Sequence, residues 1–242
     1  MSNKYLLLWL EAPLQSWGAD SKFGRRDTIN FPTKSGVTGL LLCALGASGE
    51  QKELLEKLAP LRQTVVSYAR AQKSGGGEPQ KVDREPLLRD FHMVGSGYDD
   101  ENPWETLLIP KKSNGKPAVG GGTKMTYRYY LQDAKFAVVL EVPAESAVSF
   151  AEALQNPTYD IYLGRKNCAP TDFIYRGTFE SEKAALQKAA ETAQEKGSLI
   201  EDFRVVDGEQ SNDGEAMTLN DIPIQFGEIK KYRDRRVTVI QK

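Results

Sequence analysis

The sequence predicts an α+β fold, and three observations along its 242 residues support this class. An apolar strand and an amphipathic helix open the chain, and a strand rich in β-branched residues follows them. A long stretch broken by glycine and proline comes next. A second series of strands and helices then completes the chain. This irregular succession of strands and helices is typical of α+β domains.

The first two elements are a strand over 5–10 and a helix that begins at Lys34. The strand is indicated by a nearly continuous apolar run. Apolar residues in the helix recur at the spacing of one helical face, at Val37, Leu40, Leu41, Ala44 and Leu45. Gly46 marks its end. The loop between strand and helix carries an aromatic residue and a basic triplet: Trp17, Lys22, Arg25 and Arg26.

A short helix over 51–58 and a strand over 63–71 complete this first series. Pro60 ends the short helix. Consecutive β-branched residues favour the strand, at Thr64, Val65 and Val66.

From residue 73 to residue 122 the periodicity is lost. Glycines and prolines recur throughout this stretch, which begins with one glycine triplet at 75–77 and ends with another at 120–122. Such a length without regular structure is uncommon inside a compact domain and is often functional. Several of its residues are apolar and could pack: Leu87, Phe91, Trp104, Leu107, Leu108 and Ile109. We therefore predict an extended protrusion rather than a linker.

The second series of elements begins after this protrusion. Periodicity and breakers predict strands and helices in the order strand 135–142, helix 144–154, strand 174–179, helix 183–196 and strands 199–206 and 236–240. Asn156-Pro157 breaks the first of these helices, and Gly197 stops the second, alanine-rich one.

Composition predicts a soluble globular protein of the cytoplasm. The chain is 40% hydrophobic and 27% charged, which is enough apolar content for a core. No apolar run approaches the roughly 18 residues of a membrane span, and Glu11 and Pro13 interrupt the first run too early for a signal peptide. Cys43 and Cys168 have no metal-ligand spacing and imply no disulfide framework.

The formal net charge of −1 conceals an uneven distribution of charge. Residues 106–132 contain five basic side chains and no acidic one, and the tail over 230–236 contains five basic side chains and one acidic. Residues 180–221 contain eleven acidic and four basic side chains, a net charge of −7. One face could therefore attract phosphates while another faces solvent or a basic partner; ordinary solvated faces are the alternative.

The helix start at Thr33-Lys34-Ser35-Gly36 is a candidate phosphate site. Its first backbone N–H groups have no partner within the helix, and both the helix dipole and Lys34 favour an anion there. The alternative is that Thr33 or Ser35 only caps the helix. The segment is not a Walker A loop, because no Gly-Lys-Ser/Thr follows a spaced glycine, so the sequence gives no support to nucleotide hydrolysis.

Four motifs, in order along the chain, resemble those of one known family. The first is the segment 5–46, and the others are Leu88 to Val94 (LRDFHMV), Tyr130 to Phe136 (YLQDAKF) and Tyr162 to Cys168 (YLGRKNC). They resemble the CRISPR-associated protein five family, in the branch that supplies a subunit of type I-E Cascade complexes. Residues 180–242 match this pattern weakly.

The resemblance implies a ferredoxin-like domain of the RNA-recognition-motif type (a RAMP domain) with a thumb-like insertion. Residues 1–72 and 131–200 would form the RNA-binding domain, 73–130 the thumb, and 201–242 a smaller C-terminal β element. Members of this branch cap the 5′ handle of the guide RNA without cutting it. The implied partners are the CRISPR RNA, the Cascade backbone subunits, the large subunit and, through the complex, target DNA; no cofactor is implied.

A single-stranded handle is held by phosphate contacts and by bases that stack on aromatic or guanidinium planes. One wall of such a grip is expected near the first helix, from Trp17, Arg25, Arg26, Lys34 and Ser35. A second wall is expected at the edges of the thumb, from Arg89, His92, Lys124, Tyr127 and Arg128. Arg165 and Lys166 follow Gly164, where a missing side chain would let two backbones approach. The alternative for each of these residues is a role without RNA: a charged side chain that faces solvent, or an aromatic side chain that packs in the core.

His92 is the one histidine of the sequence and the basis of an alternative function. In the type I-C branch of the family the protein itself cuts precursor RNA, with a tyrosine, a lysine and a histidine as the suggested catalytic set. An adjacent Lys-His pair marks that branch, whereas Phe91 precedes His92 here. We therefore expect a non-catalytic protein, with a metal-independent endoribonuclease as the alternative.

The motif at 162–168 also departs from the usual Tyr-Leu-Gly-Arg-Arg-Ser-Cys-Pro pattern of the family. Lys166, Asn167 and Ala169 replace three of its residues. A lysine lacks the planar fork of an arginine, so stacking or bidentate contacts at Lys166 would differ from those of the family pattern.

Overall fold

The computed structural model describes residues 2–18, 21, 24–72, 80–94, 101–107, 111–116, 124–197, 199–210 and 214–242. The strands are β1 (Lys4–Glu11), β2 (Leu14–Gln15), β3 (Trp17–Gly18), β4 (Arg25–Arg26), β5 (Thr28–Ile29), β6 (Gln63–Gln72), β7 (Gln80–Lys81), β8 (Leu88–Val94), β9 (Lys124–Gln132), β10 (Lys135–Val142), β11 (Tyr175–Phe179), β12 (Leu199–Asp207), β13 (Glu215–Gln225) and β14 (Lys231–Gln241). The helices are α1 (Lys34–Ala44), α2 (Lys52–Leu58), α3 (Pro103–Thr106), α4 (Ala147–Gln155) and α5 (Glu182–Glu195), with a 3-10 turn at Ala144–Ser146.

The main sheet has the strand order β11-β1-β10-β6-β12-β14-β13, and β7 pairs with the end of β6. Each of these neighbouring pairs is antiparallel. The mixture of helices with antiparallel sheets agrees with the predicted α+β class. In the described part of the chain, no helix is long and apolar enough to cross a membrane.

Strand β1 is buried on both faces of this sheet. Leu6, Leu8 and Leu10 point into one core with apolar residues of α1 and α4. Leu7 and Trp9 point into a second core, where α5 contributes three buried alanines: Ala185, Ala189 and Ala193. Because helices cover both sides, the strand needs apolar residues at every position. This accounts for its continuous rather than alternating apolar sequence.

Helix α1 has defined signals at both ends. The Thr33 hydroxyl accepts a hydrogen bond from the amide of Gly36 at 3.1 Å, as an N-cap does. At the other end Gly46 adopts a left-handed φ of +69°, and its amide bonds the carbonyl of Cys43. The amide of Ala47 bonds the carbonyl of Leu42. These two bonds form a Schellman motif, which explains the glycine.

The predicted protrusion contains regular structure that its sequence did not indicate. Strand β8 lies within it and pairs antiparallel with β9, from Leu88 opposite Tyr130 to Val94 opposite Lys124. Strand β9 also pairs with β2 and β4, which places the basic loop beside this ribbon. Leu108 and Ile109, named above as apolar residues of the protrusion, lie outside the described residues. The limits of a thumb at 73–130 remain a prediction.

The C-terminal strands continue the main sheet. Strand β12 pairs with β6 on one side and with β14 on the other, so the boundary expected at residue 201 falls inside a strand. Strand β13 was not predicted from the sequence. It contains Asn220, Asp221 and Pro223, which disfavour strands, and its register shifts between Asn220 and Ile222 and again between Pro223 and Gln225.

Candidate nucleic-acid interface

The β8–β9 ribbon has two chemically different faces. Directly opposed residues of paired strands point to the same side, and successive residues alternate. The aromatic face comprises Arg25, Arg89, Phe91, Met93, Met125, Tyr127 and Tyr129. The polar face comprises Arg26, Asp90, His92, Thr126 and Arg128. Six of these residues are predicted RNA contacts, and the pleat divides them between the two surfaces: Arg25, Arg89 and Tyr127 on the aromatic face, and Arg26, His92 and Arg128 on the polar face.

The aromatic face is exposed and is flanked by two arginines. The rings of Phe91 and Tyr127 lie 5.2 Å apart, and their residues are 46% and 39% exposed. The guanidinium carbon of Arg89 lies 5.8 Å from the centre of the Tyr127 ring, and that of Arg25 lies 4.7 Å from the Tyr129 ring. Unpaired bases stack on such aromatic and guanidinium planes.

A shallow groove of about 460 Å³ adjoins the polar face, and we call it the basic groove. The residues that line it are His92, Arg128, Tyr162, Gly164, Arg165, Lys166 and Asn167. Four of the predicted RNA contacts therefore meet here, although they come from three segments of the chain. His92 Nε2 is hydrogen-bonded to the carboxylate of Asp90, two residues earlier on the same face. No acidic side chain is among the described residues that line the groove.

Arg165 joins the 162–168 motif to β9 and β4. Its Nη1 donates to the carbonyl of Tyr129 at 3.1 Å, and its Nη2 donates to the carbonyl of Arg26 at 2.8 Å. The guanidinium also lies 4.7 Å above the ring of Tyr130. Both terminal nitrogens of its guanidinium are thus hydrogen-bonded within the chain. Arg165 therefore positions the strands that carry Arg26 and Arg128.

Gly164 allows the close approach that its place in the motif predicts. Its φ is +92°, and a Cβ atom would lie 1.6 Å from the carbonyl oxygen of Ser16. The amide of Ser16 donates to the carbonyl of Leu163 at 3.2 Å. No other residue fits between these two backbones.

The prediction that Lys34 binds a phosphate is wrong. Lys34 is 3% exposed, and its Nζ donates to the carbonyls of Ala59, at 2.9 Å, and Leu61. Burial lowers the pKa of its amine. The anion at this helix start is the carboxylate of Asp221, whose Oδ2 accepts from the amide of Lys34 at 2.8 Å. Thr33 instead caps the helix, which was the alternative interpretation of this segment.

Trp17 is also unavailable for base stacking, contrary to its expected role. Its side chain is fully buried, and its Nε1 donates to Oε1 of Gln15 at 3.1 Å. It packs against Gly36, where a Cβ atom would lie 2.8 Å from Trp17 Cε3. Trp17 is thus a core residue that supports α1. The side chain of Lys124 and all of Lys22 lie outside the described part of the chain.

A second concavity, of about 620 Å³, lies along α1, and we call it the helix cleft. Ser35, Tyr162 and Lys230 line it, as do three residues that the sequence did not single out: Gly39, Tyr159 and Tyr232. Tyr162 and Gly164 line both the helix cleft and the basic groove, so the two concavities are adjacent. The helix start at 33–36 and the 162–168 motif were the signals for this cleft in the sequence.

Within the described residues, no group of three or more histidine, cysteine, aspartate or glutamate side chains could hold a metal ion.

Comparisons with known proteins agree with the motifs. The family described as "CRISPR-associated protein (Cas_Cas5)" matches residues 5–238. The CRISPR system Cascade subunit CasD of Escherichia coli (strain K12) is 29% identical over 189 residues, which cover 74% of this chain and 73% of that protein.

Two solved structures share the fold. A chain of a CRISPR RNA-guided surveillance complex superposes with a TM-score of 0.68 at 26% identity, over 98% of this chain and 90% of that chain. A structure described as a Cas protein superposes with a TM-score of 0.51 at 23% identity, over 98% and 93% of the two chains. These matches confirm the resemblance drawn from the sequence.

Proposed function

The chain belongs to the CRISPR-associated Cas5 family, and from this we propose that it is a non-catalytic guide-RNA-binding subunit of a Cascade-type interference complex. Its similarity to CasD and to a chain of an RNA-guided surveillance complex supports this role. In that role it would cap the 5′ handle of the CRISPR RNA, between the backbone subunits and the large subunit, and would meet target DNA only through the complex.

The observation that carries the proposal is the composition of the basic groove. Arg128, His92 and Lys166 converge there from β9, β8 and the 162–168 motif, and no acidic side chain is among the described lining residues. The two cations Arg128 and Lys166 are suited to a phosphate backbone. The aromatic face on the other side of the ribbon would supply stacking for bases that are not paired.

The order of the strands supports a ferredoxin-like core for this subunit. Strands β1, β6, β10 and β11 form the order β11-β1-β10-β6. Helix α1 follows β1, helix α4 follows β10, and both pack into the core on one face of the sheet. We infer that this unit is the RNA-binding domain and that the β8–β9 ribbon is the base of the thumb.

The combined substitution Arg128→Ala/Lys166→Ala tests the groove in the assembled complex. The loss of two phosphate contacts should weaken guide-RNA retention and lower the slope of log affinity against log salt by about 1.4, since each contact on a single strand contributes about 0.7. The measurement is guide-RNA dissociation over a series of salt concentrations.

The matched control is Lys183→Ala/Lys188→Ala, which removes the same charge from α5, outside the groove. An unchanged slope in the groove variant, or an equal change in the control, would refute the assignment.

The alternative function is cleavage of precursor CRISPR RNA by His92. His92 lines the basic groove, but its Nε2 is hydrogen-bonded to Asp90, and the preceding Phe91 points to the opposite face of the ribbon. We expect repeat RNA to remain intact when it is incubated with the purified chain without metal. Cleavage that disappears in His92→Ala would establish the nuclease instead.

A further inference from the structure

We propose that Arg84 is a positioning residue for the RNA interface, because it fixes the root of the β8–β9 ribbon on the main sheet. In this position the polar face of the ribbon meets the 162–168 motif. The inference rests on the proposed function and adds to it a residue that acts without touching RNA. Arg84 lies in the segment between β7 and β8, where the chain leaves the main sheet and enters the ribbon.

The guanidinium of Arg84 lies in a slot formed by three neighbouring strands. Ser67 on β6 is directly opposite Phe136 on β10 and Phe203 on β12, so these three side chains point to the same face of the sheet. The small serine leaves a gap between the two rings. The guanidinium carbon of Arg84 lies 4.8 Å from the centre of the Phe136 ring and 5.2 Å from that of the Phe203 ring. The guanidinium therefore fills this gap.

Hydrogen bonds join the same guanidinium to two other parts of the chain. Its Nη1 donates to the carbonyl of Asn30 at 3.0 Å, and its Nη2 donates to the hydroxyl of Ser67. Asn30 follows β5, at the end of the loop that carries Arg25 and Arg26. Arg84 thus connects the segment before β8, the end of this basic loop and the centre of the main sheet.

A bulge in β12 adds a carboxylate at the same place. The register between β12 and β6 shifts between Glu201 and Phe203, so Asp202 is the extra residue of a bulge. Its Oδ1 lies 2.8 Å from Lys81 Nζ, and its Oδ2 lies 3.9 Å from Arg84 Nε. Bulges often redirect a side chain in this way. The bulge therefore directs Asp202 toward the two basic residues that precede the ribbon.

An arginine at this place favours a role in positioning over a role in stability. An apolar side chain would fit between two phenylalanine rings without the free-energy cost of removing a charge from water. Burial lowers the pKa of Arg84, although the nearby Asp202 raises it. Its Nε has no hydrogen-bond partner among the described residues. Arginine instead provides a planar group with donors in fixed directions, which defines one position for the segment that carries it.

The position of the ribbon determines the shape of the basic groove. Strand β9 is held at its root by the turn into β10 and by its pairing with β2. Strand β8 pairs with β9 alone among the described strands, and it reaches the main sheet through residues 82–87. Arg84 holds this segment and so fixes the second edge of the ribbon. Without that contact, His92 and Arg128 would shift relative to Lys166 across the groove.

Arg84→Met tests this inference, because an unbranched methionine keeps the slot between the rings filled without the planar donors. In the assembled complex it should release the guide RNA about tenfold faster, which is within the range of energies that couple neighbouring groups. Arg84→Lys keeps the charge but not the planar fork, so it should not restore retention. Arg70→Met is the matched control. It removes the same charge from the end of β6, where the side chain is 67% exposed, and it should retain the RNA normally.

A double-mutant cycle separates positioning from a general structural effect. Arg84→Met combined with Arg128→Ala/Lys166→Ala should release the RNA no faster than Arg128→Ala/Lys166→Ala alone, because no cations remain in the groove to be positioned. If Arg84→Met does not assemble, Arg84→Lys takes its place in the cycle with the same expectation.

Four results would refute the inference while the proposed function stands. They are additive effects in the cycle, normal retention by Arg84→Met, full retention by Arg84→Lys, and an equal loss in Arg70→Met. If Arg128→Ala/Lys166→Ala itself retains the RNA normally, the proposed function of the groove is wrong.

Discussion

Two cations that the sequence assigned to RNA, Lys34 and Arg165, are held by backbone carbonyls of the chain itself. Lys34 contacts the carbonyl of Ala59, 25 residues away, and Arg165 contacts that of Arg26, 139 residues away. Such partners are close only in the folded chain, so the local sequence could not reveal them. Arg128 and Lys166, by contrast, both line the basic groove.

At this scale a cluster outside the interface predicts an acid-dependent stability. Lys196 Nζ lies 2.7 Å from Glu11 Oε2 and 2.5 Å from Asp172 Oδ2, and Trp9 Nε1 donates to Glu11 at 2.8 Å. Burial alone would raise the pKa of both carboxyl groups, but the hydrogen bonds and the charge of Lys196 lower the pKa of each below its ordinary value. Carboxylates with lowered pKa values contribute stability above their ordinary values of 4.5 and 3.8. That stability is lost as the pH falls through the lowered values.

The corresponding experiment compares Lys196→Met with the unmodified chain in urea unfolding between neutral pH and pH 3. Below the ordinary carboxyl pKa values, the free energy of unfolding should fall more steeply with pH in the unmodified chain than in the variant. The variant has already lost the ion pairs of Lys196 with Glu11 and Asp172. If the free energy of unfolding fell equally with pH in the two proteins, the proposed contribution of Lys196 to acid-dependent stability would be contradicted.

At the scale of elements, α1 is fixed at both ends by segments that are distant in sequence. Asp221 binds its first amide, and the amide of Thr158 donates to the carbonyl of Ala44 in its last turn at 2.9 Å. The helix itself and the strands over 135–142 and 199–206 were predictable, because apolar periodicity and breakers are local signals. Strand β13 was not, since its hydrogen bonds to β14 stabilise residues such as Asn220 that disfavour strands.

The end of α1 yields a prediction with a matched control. Gly46→Ala would force a left-handed alanine and place its Cβ atom 2.6 Å from Thr158 Cγ2. Gly197 follows α5 with a comparable φ of +87°, but a Cβ atom there meets nothing within 4 Å. Gly197→Ala should therefore lower the free energy of unfolding by about 1 kcal/mol, the cost of the backbone alone. Gly46→Ala should cost clearly more in the same denaturation experiment; equal losses would show that the contact with Thr158 relaxes freely.

At the scale of the whole molecule, the C-terminal strands extend the sheet and also reach back to α1. Arg235 on β14 donates from Nε and Nη2 to Asp221 at 2.7 and 2.9 Å, and its Nη1 pairs with Asp207 on β12. Asp221 and Arg235 are 5% and 9% exposed. A buried ion pair of this kind links three strands to a helix near the other end of the chain. The sequence showed only a basic tail and an acidic region and could not pair them.

Asp221→Ala should destabilise the entire chain rather than its last strands alone. It leaves the buried Arg235 with one carboxylate and frees the first amide of α1, a loss of about 3 kcal/mol. Urea unfolding followed by both tryptophan fluorescence and circular dichroism should shift as one transition. Asp234→Ala, an exposed aspartate on β14, is the control and should shift it little. Two separate transitions in the Asp221 variant would show that the C-terminal strands are an independent unit.

The carboxylate at the start of α1 also bears on where RNA can bind. Asp221 is attached to the same sheet, so it faces the helix amides at an effective concentration that a free phosphate cannot match. The chain thus carries its own tethered competitor for the most obvious anion site on its surface. Asp221 thus competes with a phosphate at this end of the helix, which agrees with the proposal that RNA phosphates bind at the basic groove instead.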